Sequence, residues 1–219
     1  ADKYNISCVV KCLHMEHTSG TSFETRAREE RWNVFAEVMA NNAGVLFLAH
    51  HAKDKIETHL QRLIRGAGLI ALAGMQVISA NRGISVCRPL LDIDPLLLRA
   101  YLTAMDCVWI EDPSNSDVSI ERNYLRYHVL SALISKWPHF VSSANRSLTR
   151  LAGDAELLRN YALEHRLSIS RLRWGLYSIK RSEFTRLEQQ QQSCLLRNWI
   201  QSRGWYVIDE PRLNDFLHQ

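Results

Sequence analysis

"GVLFLAHHAKDKIETHLQRLIRGAGLIALAGM", residues 44–75, is the stretch that decides the fold. It opens on a continuous apolar run of strand length, passes His50 and His51, and enters a segment whose apolar residues recur at helical spacing. At about 100° per residue, Ile56, Leu60, Leu63 and Ile64 share one arc of a wheel. Asp54, Thr58, Gln61 and Arg65 share another, with Glu57 between them, so a helix over 53–65 is expected to bury one side and present a polar stripe on the other. Because the helix follows an apolar strand directly, both histidines lie at the carboxyl end of that strand, where open α/β sheets bind ligands. A solvated amphipathic helix leaving a loop accounts for the same pattern. Lys53 and Lys55 stand in the first turn, where each cation costs about 0.3–1 kcal/mol at an exposed site and a nearby anion would offset that cost. Gly66, Gly68 and Gly74 permit positive φ or close backbone approach. A helix C-cap explains Gly66 or Gly68 more plainly, though not Arg65 beside them.

Upstream, "YNISCVVKCLH" (4–14) is rich in β-branched residues and reads as a strand, with "HTSGTS" (17–22) as a loop. "FETRAREERWNVFAEVMANN" (23–42) spaces Phe23, Ala27, Trp32, Phe35, Val38 and Met39 as a helix does. Strand, helix, strand, helix with apolar strands implies an α/β unit whose parallel sheet is covered on both faces. A hairpin follows, "MQVISANRGISVCRPLL" (75–91), turning at Asn81, Arg82 and Gly83, and then a helix from Pro95 to Met105. Beyond residue 119 the chain reads as mainly helical, in "SIERNYLRYHVLSALISKW" (119–137), "SSANRSLTRLAGDAELLRNYALEHRL" (142–167) and "SEFTRLEQQQQSCLLRNWIQSRG" (182–204), with a short strand "WGLYSIK" (174–180) between the last two. Pro138 breaks the first of these and places a domain boundary at 137/138.

The 219 residues, 46% hydrophobic and 23% charged, exclude disordered and fibrous classes and suffice for one large domain or two small ones. The longest apolar run, "AGVLFLA" (43–49), is far short of the roughly 20 residues of a membrane span. "ADKYNIS" at the start has no apolar signal core, so a cytoplasmic protein with no membrane partner is expected. Five scattered cysteines form no zinc pattern, and Cys8 and Cys12 are placed on an interior strand, so reduced, mostly buried thiols are expected. The net charge is +4, and 21 of the 27 basic residues are arginine, the better planar partner for phosphate. From 145 to 181 the basic residues Arg146, Arg150, Arg159, Arg166, Arg171, Arg173, Lys180 and Arg181 outnumber Asp154, Glu156 and Glu164. That excess suits salt-sensitive phosphate contacts, and a solvated helix surface equally.

"WIEDPSNSDVSIERNYLRYHVL" (109–130) poses a second question. Its first part is a turn-rich acidic loop, after which Ser119 is expected to cap a helix that has Glu121 in its first turn. Arg122 and Arg126 fall on the side of Val129 and Leu133, so two guanidiniums extend an apolar face and call for a carboxylate or phosphate partner. A structural ion pair with Glu111 or Asp112 is the alternative.

Together these segments resemble the tRNA(Ile)-lysidine synthase family of N-type ATP-pyrophosphatases. The residues carrying the resemblance are His50, His51, Asp54, Glu57 and Thr58, then Arg65, Gly66, Gly68, Leu69, Leu72, Gly74 and Met75. "RPLL" (88–91), "WIEDPSN" (109–115) and "RNYLR" (122–126) follow in the family's order, with "RAREERW" (26–32) upstream. The likeness is strong from about 20 to 140 and loose beyond. It implies a Rossmann-like parallel sheet of the adenine nucleotide alpha-hydrolase type, incomplete at its N-terminus, followed by a mainly helical domain. Residues 1–137 would be part of the nucleotide-binding catalytic domain and 138–219 a helical tRNA-binding domain.

The resemblance further implies ATP-dependent ligation of free L-lysine to C2 of the wobble cytidine of a tRNA(Ile) with a CAU anticodon, through an adenylated intermediate. ATP and Mg2+ are the implied cofactors, and a homodimer stays open. Asp54 would orient the lysine ammonium or a magnesium ion, and Arg65 and Arg122 would hold developing phosphate charge. His50, His51, Glu57, Thr58, Gly66, Gly68, Glu111, Asn115, Asn123 and Arg126 would line the substrate and nucleotide site, and Arg146, Arg150, Arg171 and Arg173 would meet tRNA. Metal ligation by both histidines is disfavoured, since adjacent residues at a strand end point to opposite faces.

Three departures stand beside the matches. The family's Ser-Gly-Gly-x-Asp-Ser phosphate loop is not in the sequence, Lys55 replaces a glutamine, and Lys53 stands where an acidic residue is common. The expectation is a chain that begins inside the catalytic domain and stops before the family's C-terminal domain. The alternatives are a tRNA-binding protein without catalysis, or another PP-loop tRNA-modifying enzyme such as a thiolase, which the placement of Cys8 and Cys12 serves poorly.

Overall fold

The computed structural model describes residues 5–13, 23–40, 44–164, 169–171, 177–202 and 210–217. Along the chain run α1 (Phe23–Met39), β1 (Val45–Phe47), α2 (Ala52–Ile64), the short α3 (Leu69–Leu72), β2 (Ile78–Asn81), β3 (Ile84–Cys87) and α4 (Pro95–Ala104). A 3-10 turn at Pro113–Ser116 precedes α5 (Glu121–Tyr124), which continues through a π-helical segment, Leu125–Leu130, into α6 (Ser131–Lys136). Then come α7 (Phe140–Glu164), β4 (Ile169–Arg171), β5 (Tyr177–Ile179), α8 (Arg181–Phe184), α9 (Gln189–Ser202) and α10 (Glu210–Leu217). They gather into two compact units, Ala1–Asp54 with Met75–Cys107, and Lys55–Gly74 with Val108–Gln219.

In the first unit β3 is the middle strand of three. β1 lies parallel to it, Val45 opposite Ser85 and Phe47 opposite Cys87, and β2 lies antiparallel, Ile78 opposite Cys87. The two-residue turn between β2 and β3 has Arg82 at φ +50° and Gly83 at φ +80°, the paired positive angles that match strand twist in a tight hairpin. The helix after the hairpin forms as expected. Asp94 accepts the Leu96 N–H at 2.9 Å and Pro95 supplies the preset φ of a first helical residue.

The parallel β1–β3 pair with α2 between them bears out the α/β expectation, but coverage of both faces does not hold. Ile84 and Val86 are buried, whereas Val45, Phe47 and Ile78 are exposed. Side chains alternate across a pleated sheet, and among the described residues one face alone is packed. Residues 5–13 form no strand, because none of the described strands pairs with them; Ile6, Val9 and Val10 are exposed. Cys8 and Cys12 are therefore exposed, and Cys87, Cys107 and Cys194 are only part-buried, against the expectation of interior thiols. The loop at 17–22 lies outside the described residues.

Beyond residue 119 the described residues are mainly helical, as expected. Trp137 takes φ −129°, ψ 92°, the extended conformation that a following proline imposes, and this ends α6 ahead of Pro138. Val141, Leu148 and Ala155 of α7 and Leu195, Leu196 and Ile200 of α9 are buried. α7 packs against α3, α6 and α9, and α9 against α10. The expected single helix over 182–204 is two, because side chains satisfy a break there. The Gln192 amide donates to the carbonyls of Phe184 and Leu187, and Gln191 accepts the Glu188 N–H at 3.0 Å, half of a capping box. β5 falls where a strand was expected, and its antiparallel partner β4 was not anticipated.

Candidate functional site

The start of α2 carries a reciprocal cap. His51 N–H donates to Asp54 Oδ2 at 2.9 Å, and Asp54 N–H points at His51 Nδ1 at 3.4 Å. This is the logic of a Ser-x-x-Glu capping box played by His and Asp, with the same ring nitrogen 3.2 Å from the carboxylate. Asp54 is 7% exposed, and its negative charge sits at the positive end of the helix. His50, the residue before, is half-buried.

Further along α2 the wheel holds in part, with Ile56 buried and Leu60 half-buried as expected. Lys55 and Glu57 are 4% and 0% exposed, while Leu63 and Ile64, expected on the inner face, are exposed. The burial of Lys55 and Glu57 follows from their partners. Glu57 Oε1 accepts Arg126 Nε at 2.7 Å, and Oε2 accepts Arg122 Nε at 2.7 Å and Arg126 Nη2 at 3.0 Å. Burying a carboxylate this deep is costly unless it is paired and hydrogen-bonded, and here both oxygens are. The partner of the two arginines is thus the glutamate of the opening motif. Lys55 directs its ammonium to Thr149 Oγ1 of α7 at 3.4 Å, and Thr58 is half-buried.

The end of α2 is a Schellman turn. Gly66, at φ +67°, donates to Leu63 O, and Ala67 donates to Arg62 O, each at 3.0 Å. Gly66 therefore caps the helix, and Arg65 beside it pairs with Glu121 at 2.7 Å on the surface. Gly68 has an ordinary φ of −74° and starts α3; a Cβ there would meet Arg197 Nη1 at 3.3 Å. Two side chains of α2 hold α3 in place, His59 Nδ1 at 2.9 Å from Leu72 O and the Arg62 guanidinium on Ala71 O.

The acidic loop is built by its own side chains. Asp112 accepts the Ser114 N–H and Asp117 the Ser119 N–H, both at 2.9 Å. Those backbone and hydroxyl bonds from Ser114 hold the Asp112 carboxyl below its ordinary range, and the bonds from Ser119 do the same for Asp117. The buried Asn123 donates to Ser114 O and Asp117 O, closing the loop onto α5. Ser119 does not cap α5. Ile120 occupies the cap position and has no polar side-chain atom to make a cap bond, while Ser119, one residue earlier, donates its N–H to Asp117. Glu111 is exposed and accepts Trp109 Nε1 at 3.1 Å; Asn115 is exposed within the 3-10 turn.

Among the basic residues, Arg146 and Arg150 project from exposed positions one turn apart on α7, Arg146 onto Ser143 Oγ. Arg159 pairs with Glu156, and Lys180 with Glu183. Arg171 lies in β4, and Arg166 and Arg173 lie outside the described residues. The second unit holds 18 basic and 13 acidic residues against 9 and 10 in the first, so the positive excess belongs to it. Among the described residues two cations are buried, Lys55, which stands out in the sequence as a first-turn cation, and Arg88, which does not. Arg88, directly after β3, donates to Gln76 O and Ser79 Oγ; burial, then the neighbouring Arg28, pushes its guanidinium below the usual range. Its one signal in the sequence is its place at the head of the "RPLL" motif.

Residues 1–133 match the PP-loop domain family. A tRNA(Ile)-lysidine synthase of Pseudomonas fluorescens is 37% identical over 187 residues, covering 83% of this chain and 42% of that protein. That of Pseudomonas putida is 34% identical over 203 residues, 91% of this chain and 47% of that protein. That of Edwardsiella ictaluri is 31% identical over 232 residues, 100% of this chain and 51% of that protein. The chain thus spans about half the length of the curated relatives it matches. No helix of the described residues is long and apolar enough to cross a membrane.

Proposed function

The chain belongs to the PP-loop domain family, and from that membership we propose that the protein containing it is a tRNA(Ile)-lysidine synthase. It uses ATP to adenylate C2 of the wobble cytidine of a tRNA(Ile) with a CAU anticodon. It then joins the ε-amine of free lysine there, changing codon and amino-acid specificity. The observation that carries this reading is the fork of Arg122 and Arg126 on Glu57, which joins the His-His-x-x-Asp-x-x-Glu-Thr segment to the Arg-Asn-x-x-Arg segment through one buried carboxylate. The names of the relatives support it.

In this reading the Asp54 carboxylate, held by the His51 amide, receives the lysine ammonium. Arg65 and Arg122 stabilise phosphate charge, with Glu57 as the positioning residue that aims Arg122. Arg126, Asn123, Asn115 and Glu111 belong to the frame of the same segment, and Arg146, Arg150, Arg171 and Arg173 contact tRNA phosphates. ATP supplies the adenylyl group. The Ser-Gly-Gly-x-Asp-Ser loop is not among these residues, so they do not by themselves make a triphosphate cradle, and no step through the nucleotide is derived from them. Among the described residues no three His, Cys, Asp or Glu side chains gather to hold a metal. Magnesium would draw most of its ligands from phosphate and water.

A second reading, tRNA binding without catalysis, draws on the same commitments: Asp54 caps a helix and both arginines serve Glu57. One experiment separates the two. The whole protein is incubated with ATP, lysine and a tRNA(Ile) transcript, and the nucleosides are analysed by mass. Lysine-modified cytidine is expected. Bound tRNA with unmodified cytidine would overturn the ligase reading in favour of the second.

A further inference from the structure

We infer that Tyr124, Tyr127 and His128 form a stacking platform for an unpaired base of the RNA; this rests on the tRNA reading above. The three rings stand on one side of the helix spanning α5 and the π-helical segment. Tyr124 is 52% exposed and Tyr127 47%, and His128 is exposed beside them. Tyr124 and His128 are in contact, their ring centroids 4.8 Å apart and the planes tilted by 42°. A lone surface tyrosine needs no explanation. Three aromatic rings on one outward face, two of them in contact, offer exposed ring faces on which a base can stack.

The platform is also held still. Arg122 and Arg126 lie two residues either side of Tyr124, hence on roughly the opposite side of the helix, and three hydrogen bonds tie them to the buried Glu57. Leu125 and Leu130 are buried on that inner side too. The rings are thus mounted on a helix whose inner face is fixed by charge and packing, so little order remains to be imposed on binding. The helix carries an extra residue in its π turn, a feature frequent at functional sites.

Charge selects the occupant. The platform belongs to the unit with 18 basic and 13 acidic residues, which favours a polyanion over a neutral or acidic protein segment. Aromatic rings on a basic surface are how single-stranded nucleic acid is held, the bases on the rings and the backbone on the cations.

The test measures binding of the whole protein to two labelled RNA hairpins, one with CAU in its loop and one with an abasic loop, over a series of salt concentrations. Tyr124→Ala is expected to weaken binding of the CAU hairpin by about five- to a hundredfold. It should leave the slope of log Kd against log salt unchanged and bring the affinity down to that for the abasic loop. Tyr124→Phe should bind as the wild type does, which also reports that the helix is intact. Equal loss on both hairpins, or wild-type affinity in Tyr124→Ala, would overturn the platform while leaving tRNA binding in place. Failure of the wild type to bind either hairpin would overturn the tRNA reading and the platform with it.

Discussion

Glu57 and Arg126 form a two-pronged pair across 69 positions of sequence, Nε to Oε1 at 2.7 Å and Nη2 to Oε2 at 3.0 Å. The carboxylate is fully buried and the guanidinium mostly so. Such a fork fixes orientation as well as distance, which lysine cannot reproduce. Glu57→Ala leaves two cations facing a void and should cost about 3–5 kcal/mol. Arg126→Ala, which removes two bonds, should cost more than Arg122→Ala, which removes one of the three. Denaturant midpoints of the three variants check the order. A Glu57→Ala protein as stable as the wild type would remove the fork from the account of stability.

Asp54 is assigned two roles that substitutions can part. Asn retains an acceptor for the His51 amide but not the charge, so Asp54→Asn should keep most of the stability and lose lysine transfer. Asp54→Ala should lose transfer and also about 0.5–2 kcal/mol of cap energy. Transfer at the wild-type rate in Asp54→Asn would strip Asp54 of any part in binding lysine.

Gly66 and Gly68, two residues apart, should respond differently to alanine. Gly66 sits at φ +67°, where a Cβ costs about 1–2 kcal/mol whatever the space around it. Gly68 has an ordinary φ, and the atom its methyl would meet is the far end of the Arg197 side chain, which can shift. Thermal unfolding should show a clear drop for Gly66→Ala and under about 1 kcal/mol for Gly68→Ala. Equal drops would mean that Arg197 cannot move.

Asp112 and Asp117 make the acidic loop sensitive to acid. Both carboxyls titrate below their ordinary value of 3.8 because they accept bonds from Ser114 and Ser119. A depressed folded value contributes order that is complete above the ordinary value and is lost as pH falls through the folded one. Amide exchange at Ser114 and Ser119 should therefore be protected at about pH 5 and lose protection in strong acid. Asp112→Ala should remove it at Ser114 at every pH. Protection that survives the substitution would assign the loop's order to Asn123 alone.

Arg146 and Arg150, exposed one turn apart on α7, should each take one phosphate. Replacing both with alanine should reduce the slope of log affinity against log salt by about 0.7–0.9 for each phosphate no longer neutralised. An unchanged slope would move the tRNA surface away from this helix.

Much of the local structure was legible in contiguous spacing. The apolar run before His50, the periodicity of 53–65, the Asn-Arg-Gly turn, Asp94-Pro95 and Pro138 each act through neighbours a few residues away, so composition and spacing suffice. The same reasoning failed at 5–13, where β-branched residues announce a strand but pairing decides one, and at 185–188, where Gln191 and Gln192 close a break inside a run of good helix formers. Of the site, Arg122 and Arg126 were legible as cations on an apolar face, but their partner was sought in the adjacent loop.

Sequence alone fixes the elements set by neighbouring residues, such as α2, the β2–β3 turn, α4 and the end of α6, and the set of charged residues that had to find partners, because φ preferences, caps and periodicity are properties of short segments. Which charges were buried, and against what, only the tertiary structure decided. A helical wheel leaves Glu57 between the two arcs and gives Lys55 no partner, and desolvating a single charge is prohibitive. Once Arg122, Arg126 and Thr149 arrive from distant positions in the chain, these groups are paired and hydrogen-bonded, and Glu57 and Lys55 are buried alongside Ile56.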